Sequence, residues 1–255
     1  MLTVAALIPT LWLTLTNQLI LYIHPRYVVF TAIMAVIGLV FVIASFAAKH
    51  DERDHAEHDR ADHVHADAEP AEADHRMRRT IGTAVGGALT LLVGIALVVV
   101  PPATLTTATA DQRVINSTSV GSTPSGSGGA STLVASGASS KFSVSDWAAL
   151  LRQSSDANFY RNKGADVTGF VTADRTDPDN MFFVSRFVIT CCAVDAQPVG
   201  VPVYLPNWKN TLKANEWVRV KGVFGTNPST ASTESIALTP SSTTKVSQPS
   251  DPYLY

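Results

Sequence analysis

Two groups of residues in this 255-residue chain have the types and spacing for metal chemistry. One is Cys191-Cys192 followed by Asp195, which sets two soft sulfurs beside a carboxylate. Thiolates select zinc, copper(I) and similar soft cations, and a carboxylate can complete the shell. Adjacent thiols also allow a redox pair, and a vicinal disulfide at the cost of strain. The other group is a histidine tract. His50, His55, His58, His63, His65 and His75 are six of the seven histidines, interleaved with ten Asp or Glu. Neutral imidazole binds zinc, copper, nickel or iron, and His55-x-x-His58 and His63-x-His65 are close enough to share an ion. The competing reading is a solvated, charged linker in which His is incidental.

The elements that hold these groups differ. The tract has no apolar periodicity, so it is expected as a flexible coil reaching on the order of 30 Å, a loose collector of divalent cations and not a rigid cage. Cys191 and Cys192 close the longest strand-like run, Met181–Val194. In a regular strand Cys191 shares a face with Phe183, Ser185, Phe187 and Ile189, and Cys192 with Val184, Arg186, Val188 and Thr190. The pair is therefore expected as two small buried residues, because cysteine is among the most buried types. A thiol or metal site using Cys192 and Asp195 is the functional alternative.

Charge divides the chain. Residues 1–48 carry only Arg26, residues 49–79 carry sixteen of the forty charged side chains, and residues 80–110 carry none. A single soluble domain does not have this pattern. Three runs of about 20 apolar residues, 2–23, 28–48 and 81–100, are each long enough to cross a hydrocarbon core of roughly 30 Å. The turn His24-Pro25-Arg26-Tyr27 joins the first two as a hairpin. The first run lacks a basic start and a small-residue cleavage site, so a signal peptide is not expected. Lys and Arg concentrate in the 49–80 loop, and the positive-inside rule places it in the cytoplasm and the chain after residue 101 outside the cell. Gly82 and Gly86 form a G-x-x-x-G pair that lets another helix approach closely, although glycine is common in membrane helices.

Residues 101–140 are rich in Ser, Thr, Gly and Ala and are expected as a flexible stalk spanning roughly 30–35 Å. From 141 to 255 a folded domain is expected. A short helix carrying Trp147, Leu150 and Leu151 is capped by Ser143 or Ser145. Strand-like runs follow at Ala165–Ala173, Met181–Val194, Val199–Leu205, Trp217–Phe224, Ser235–Thr239 and Thr243–Val246, with a turn at Asp177–Asn180. About five strands in roughly 100 residues fit a small OB-like barrel, with a small sandwich as the alternative. The fold class is thus membrane α plus β. Nucleic acid is not an expected partner, since Lys+Arg is 19 against Asp+Glu 21. Trp208 and Trp217 are expected as core or rim aromatics. There is no G-x-S-x-G, H-E-x-x-H or phosphate loop, and every histidine precedes residue 76, so a Cys–His dyad in the outer domain is excluded and no enzyme is expected.

Three local segments carry a resemblance. They are Arg186-Phe187-Val188-Ile189-Thr190-Cys191-Cys192-Ala193-Val194-Asp195-Ala196, Glu216-Trp217-Val218-Arg219-Val220-Lys221-Gly222, and Asp251-Pro252-Tyr253-Leu254-Tyr255. With the order of helices, His-rich loop, third helix and β-rich domain, the chain resembles the YcgQ-type bacterial permease-subunit family. The resemblance implies that Cys192 and Asp195 fall on a recurring Cys-x-x-Asp and that the position of Cys191 takes His or Cys, both metal-ligand types. It implies a polytopic membrane permease as partner. The loop here lacks the cysteines of some relatives, which argues against tight soft-metal capture there. Accessory subunit of a permease, linked to zinc or another divalent cation, is the function expected. A stand-alone membrane-anchored metal or ligand sensor and an extracytoplasmic thiol enzyme using Cys192 are the other classes.

Overall fold

The structure, a computed structural model, describes residues 2–58, scattered positions between 87 and 99, 103–117 and 142–255. It divides into two compact units, Met1–Ala103 and Thr104–Tyr255.

In the first unit, α1 spans Leu2–Leu15 and α2 spans Pro25–His58. The expected 2–23 span is cut short. Asn17 adopts a left-handed φ of 56°. Its N–H donates to Thr14 O at 3.2 Å, and that of Gln18 to Leu13 O at 2.9 Å. This is a Schellman end, which satisfies the last carbonyls and stops the helix. The 14 residues of α1 cover about 21 Å, less than a hydrocarbon core. The chain then makes a 3-10 turn at Leu19–Leu21. Thr10, Thr14 and Thr16 each donate to a carbonyl four residues back, at 2.8 Å, so their hydroxyls are satisfied in an apolar setting.

Pro25 begins α2, where its missing N–H costs nothing, and His24 Nδ1 accepts from Arg26 N–H at 3.1 Å. Pro25–Ser45, with mean hydropathy 2.7, is the one helix among the described residues long and apolar enough to cross a membrane. Its Val29, Phe30 and Phe41 are each more than 60% exposed. Leu7 of α1 packs where Gly38 of α2 leaves room, as a hairpin requires. The helix does not end at residue 48. It continues to His58, because no Gly or Pro follows Gly38 until Pro70, and Ala, Glu and Arg favour helix. His50, His55 and His58 therefore lie on its last turns, not in coil. His63, His65 and His75 lie outside the described residues, as do Gly82, Gly86 and most of the expected 81–100 span.

The second unit starts earlier than expected. Residues 104–117, read from sequence as stalk, lie against the sheet as a strap. The strap contains one short helix, α3, Thr107–Asp111, with Ala110 fully buried. Leu105 N–H donates to the Tyr253 hydroxyl at 2.9 Å. Arg175 Nη2 donates to the carbonyls of Asp111 and Arg113. Asn116, at φ 59°, exchanges two 2.9 Å hydrogen bonds with the backbone of Gly200. A Ser/Thr/Gly/Ala composition signals flexibility only where no partner offers such bonds.

Helix α4, Val144–Gln153, opens with a capping box between Ser143 and Asp146. A short helix, α5, spans Ala157–Tyr160. Six strands follow: β1 Gly164–Ala173, β2 Met181–Val188, β3 Gln197–Tyr204, β4 Trp217–Thr226, β5 Ile236–Lys245 and β6 Tyr253–Leu254. They make one mixed sheet in the order β1-β4-β5-β3-β2-β6, and β1 also pairs with β2, so the sheet curls into a partial ring. A single sheet replaces the two-sheet sandwich. The parallel contacts are β3 with β5, at Val203↔Leu238, and β2 with β6. The two weak runs expected at 235–239 and 243–246 are one strand, bulged opposite Lys221 and Gly222. Inside the ring lie Val171, Val184, Val201, Val220 and Leu238, covered by Trp147, which packs tilted at 49° against Phe224, ring centres 4.6 Å apart. Trp208 is core, and its indole N–H donates to Met181 O at 3.1 Å.

Candidate metal centre

Strand β2 stops at Val188, six residues before the expected end. The reason lies in Asp195. Its carboxylate accepts N–H bonds from Thr190 at 3.1 Å, Cys191 at 2.7 Å and Cys192 at 3.4 Å. Those amides would otherwise continue a strand ladder. Instead they converge on one side chain, and Ala193–Asp195 folds as a 3-10 turn with Cys192 as its cap. Cys192 O accepts the Asp195 N–H at 3.0 Å, closing the turn.

The turn overturns the expectation of two cysteines buried on alternate strand faces. Cys191 is exposed and Cys192 half-buried, and no disulfide joins them. One donor atom each from Cys191, Cys192 and Asp195 lies within 4.8 Å of the other two. A tetrahedral zinc with sulfur at about 2.3 Å holds its ligand atoms about 3.7 Å apart, against the 4.8 Å that bounds the set here. Asp195 Oδ1 takes a single N–H in the structure and keeps a lone pair for an ion. Its orientation is already fixed by backbone, so little ordering is needed on binding. Three ligands would leave one tetrahedral position for water or a further ligand. Among the described residues no histidine joins this group.

Two supports flank the turn. Arg113 of the strap donates to Val194 O at 2.9 Å. On the other side, Ile189 N–H donates to Leu254 O at 2.9 Å, so β6 holds the residue that leads into it. Sequence reasoning missed both. The apolar, aromatic end Tyr253-Leu254-Tyr255 after a Pro was the signal for β6; nothing in residues 104–117 announced the strap.

A second concavity, of about 120 Å³, lies where Val114 and Ile115 of the strap meet Ala173, Asp174, Phe183 and Glu234. Burial, with Asp174 nearby, pushes the Glu234 carboxyl above its ordinary range. The raised value in the folded state means that folding favours the neutral acid. Its stabilisation is complete below the unfolded value and lost as pH rises through the folded one. Glu234→Gln is expected to match the parent's stability in acid and exceed it at neutral pH, which thermal unfolding across pH 4–8 would measure.

Residues 2–116 match the DUF1980 N-terminal domain and residues 141–255 the DUF1980 C-terminal domain. No curated protein matches the chain.

Proposed function

The chain belongs to the DUF1980 family, and from that premise we propose a membrane-attached accessory subunit that handles a soft divalent cation for a polytopic permease. The observation that carries the reading is the thiol turn: two cysteines and a backbone-anchored carboxylate within ligand range, presented at the surface. Zinc is the cation that this mixed sulfur–oxygen set suits best. The role we propose is binding and transfer of the ion.

The helix Pro25–Ser45 supports attachment to a bilayer. A crossing at Pro25–Ser45 and one at 81–100, a cytoplasmic 49–80 segment and an extracytoplasmic β-domain form the arrangement we propose, on the positive-inside rule. The ring order β1-β2-β3-β5-β4 supports an OB-type barrel as the frame of that domain. The histidines of the 49–80 segment would collect the same class of ion on the other side.

The test uses the full chain in mild detergent, reduced and titrated with Co(II) as a spectroscopic zinc substitute. Thiolate-to-cobalt absorption is expected, with competition by zinc. Cys192→Ser is expected to lower affinity on the order of a hundredfold. Absence of that absorption in the parent chain would sink the cation role. Co-purification of a polytopic membrane protein favours the subunit; recovery alone across several gentle detergents favours the stand-alone sensor.

A further inference from the structure

Arg186 sits on β2, and burial pulls its guanidinium below its ordinary range. Even a half-buried cation keeps most of its donors engaged. Arg186 spends most of them on carbonyls of the C-terminal segment: Nε donates to Pro252 O at 2.9 Å, and Nη2 to Asp251 O at 2.5 Å and Tyr253 O at 3.4 Å, while Nη1 donates to Thr168 O of β1 at 3.5 Å. Trp217 of β4 lies against the guanidinium face, 5.3 Å from ring centre to Cζ. Held this way, Tyr253–Leu254 pairs in parallel with Phe187 and Val188. Leu254 O then takes the N–H of Ile189. The next N–H, that of Thr190, is the first that Asp195 accepts. The hydrogen-bonded series is continuous from the arginine to the thiols, with no gap between the end of one support and the start of the next.

We infer that Arg186 is a positioning residue for the thiol turn, acting through the C-terminal segment, which serves as the splint that holds Thr190–Asp195 in its ligating shape. The inference deepens the cation reading and rests on it for its purpose, but not for its test. Two variants carry the test in the full chain in detergent. In one, translation stops after Ser250, removing the splint and leaving Arg186. In the other, Arg186→Lys keeps a cation and the stem, but one ammonium cannot reproduce a planar fork across successive carbonyls.

The first readout needs no metal: the rate at which a maleimide alkylates Cys191 and Cys192 well below the melting temperature. Truncation is expected to raise the rate for half-buried Cys192 about tenfold, as a turn that opens locally does, while the cooperative unfolding of the β-domain persists. Arg186→Lys is expected to fall between the parent and the truncation. The second readout is Co(II) affinity, expected to fall in the same order. Alkylation within twofold of the parent in both variants overturns the inference. If a variant loses cooperative unfolding altogether, the other decides, and loss in both overturns a role confined to the turn. A parent that binds no cobalt while the alkylation series holds discards the cation and keeps the splint.

Discussion

Asp195→Ala is expected to abolish measurable soft-cation binding and to destabilise the β-domain by about 1–3 kcal/mol. The carboxylate serves two ends at once. It is one of three candidate ligand groups, and it is the shared acceptor for the N–H groups of Thr190, Cys191 and Cys192. Truncation to alanine hands three converging donors on an exposed turn to water, so nothing holds them together and the turn opens toward the extended conformation its neighbours favour. Cys192 loses its capping role with it. Asn is a poor rescue, because its amide nitrogen would turn a donor toward donors. Glu is the informative control: it restores charge but displaces the oxygens by a methylene, so stability is expected to return in part and cobalt affinity to remain low. Thermal unfolding with and without metal separates the two effects, since only the parent should gain stability from the ion.

Gly222→Ala is expected to cost about 3 kcal/mol or more and to abolish cooperative folding in a marginal background. Gly222 pairs with Pro240 at the bulge between β4 and β5. A Cβ there would strike the Thr239 carbonyl oxygen and come within 2.9 Å of Pro240 Cα. Both are backbone, and backbone cannot swing aside as a long side chain can. Relief would require parting β4 from β5, and β5 is the strand that reaches across to β3 to close the ring. Gly225, three residues along the same strand, has nothing within 4 Å of an added Cβ. Gly225→Ala is therefore expected to be neutral or stabilising by up to about 1 kcal/mol. Denaturant unfolding of the pair would distinguish a general intolerance of β4 from a steric requirement at one residue.

The sheet was largely legible because its strands alternate or run apolar between clear turns. Trp217–Phe224 and Ala165–Ala173 are found within a residue or two of where their patterns place them. Three features escaped for identifiable reasons. Helix α1 ends on a left-handed Asn17, and hydropathy does not report a cap. Strand β2 ends at Val188 because Asp195 competes for the next amides, and a side chain seven residues ahead leaves no mark on strand periodicity. The strap at 104–117 has the composition of a linker, but the Asn116 side-chain amide donates to and accepts from the backbone of Gly200. The ligand group itself was legible as residue types. Its exposure was not, because cysteine's usual burial pointed the other way. The three segments that carried the family resemblance also acquire a physical reading: Arg186, Trp217 and Asp251–Tyr253 meet at one guanidinium.

The strap also bears on where the gene can be cut. The family's C-terminal domain begins at residue 141, yet the folded unit begins at Thr104. A fragment expressed from Lys141 would lack Ala110, the Asn116 amide that serves Gly200, and the Arg113 guanidinium that holds Val194. It would leave Phe183 without Val114 and Ile115 across from it, an apolar surface inviting self-association. The family's domain boundary and the folded unit have different first residues here, and a fragment for study should start at Thr104.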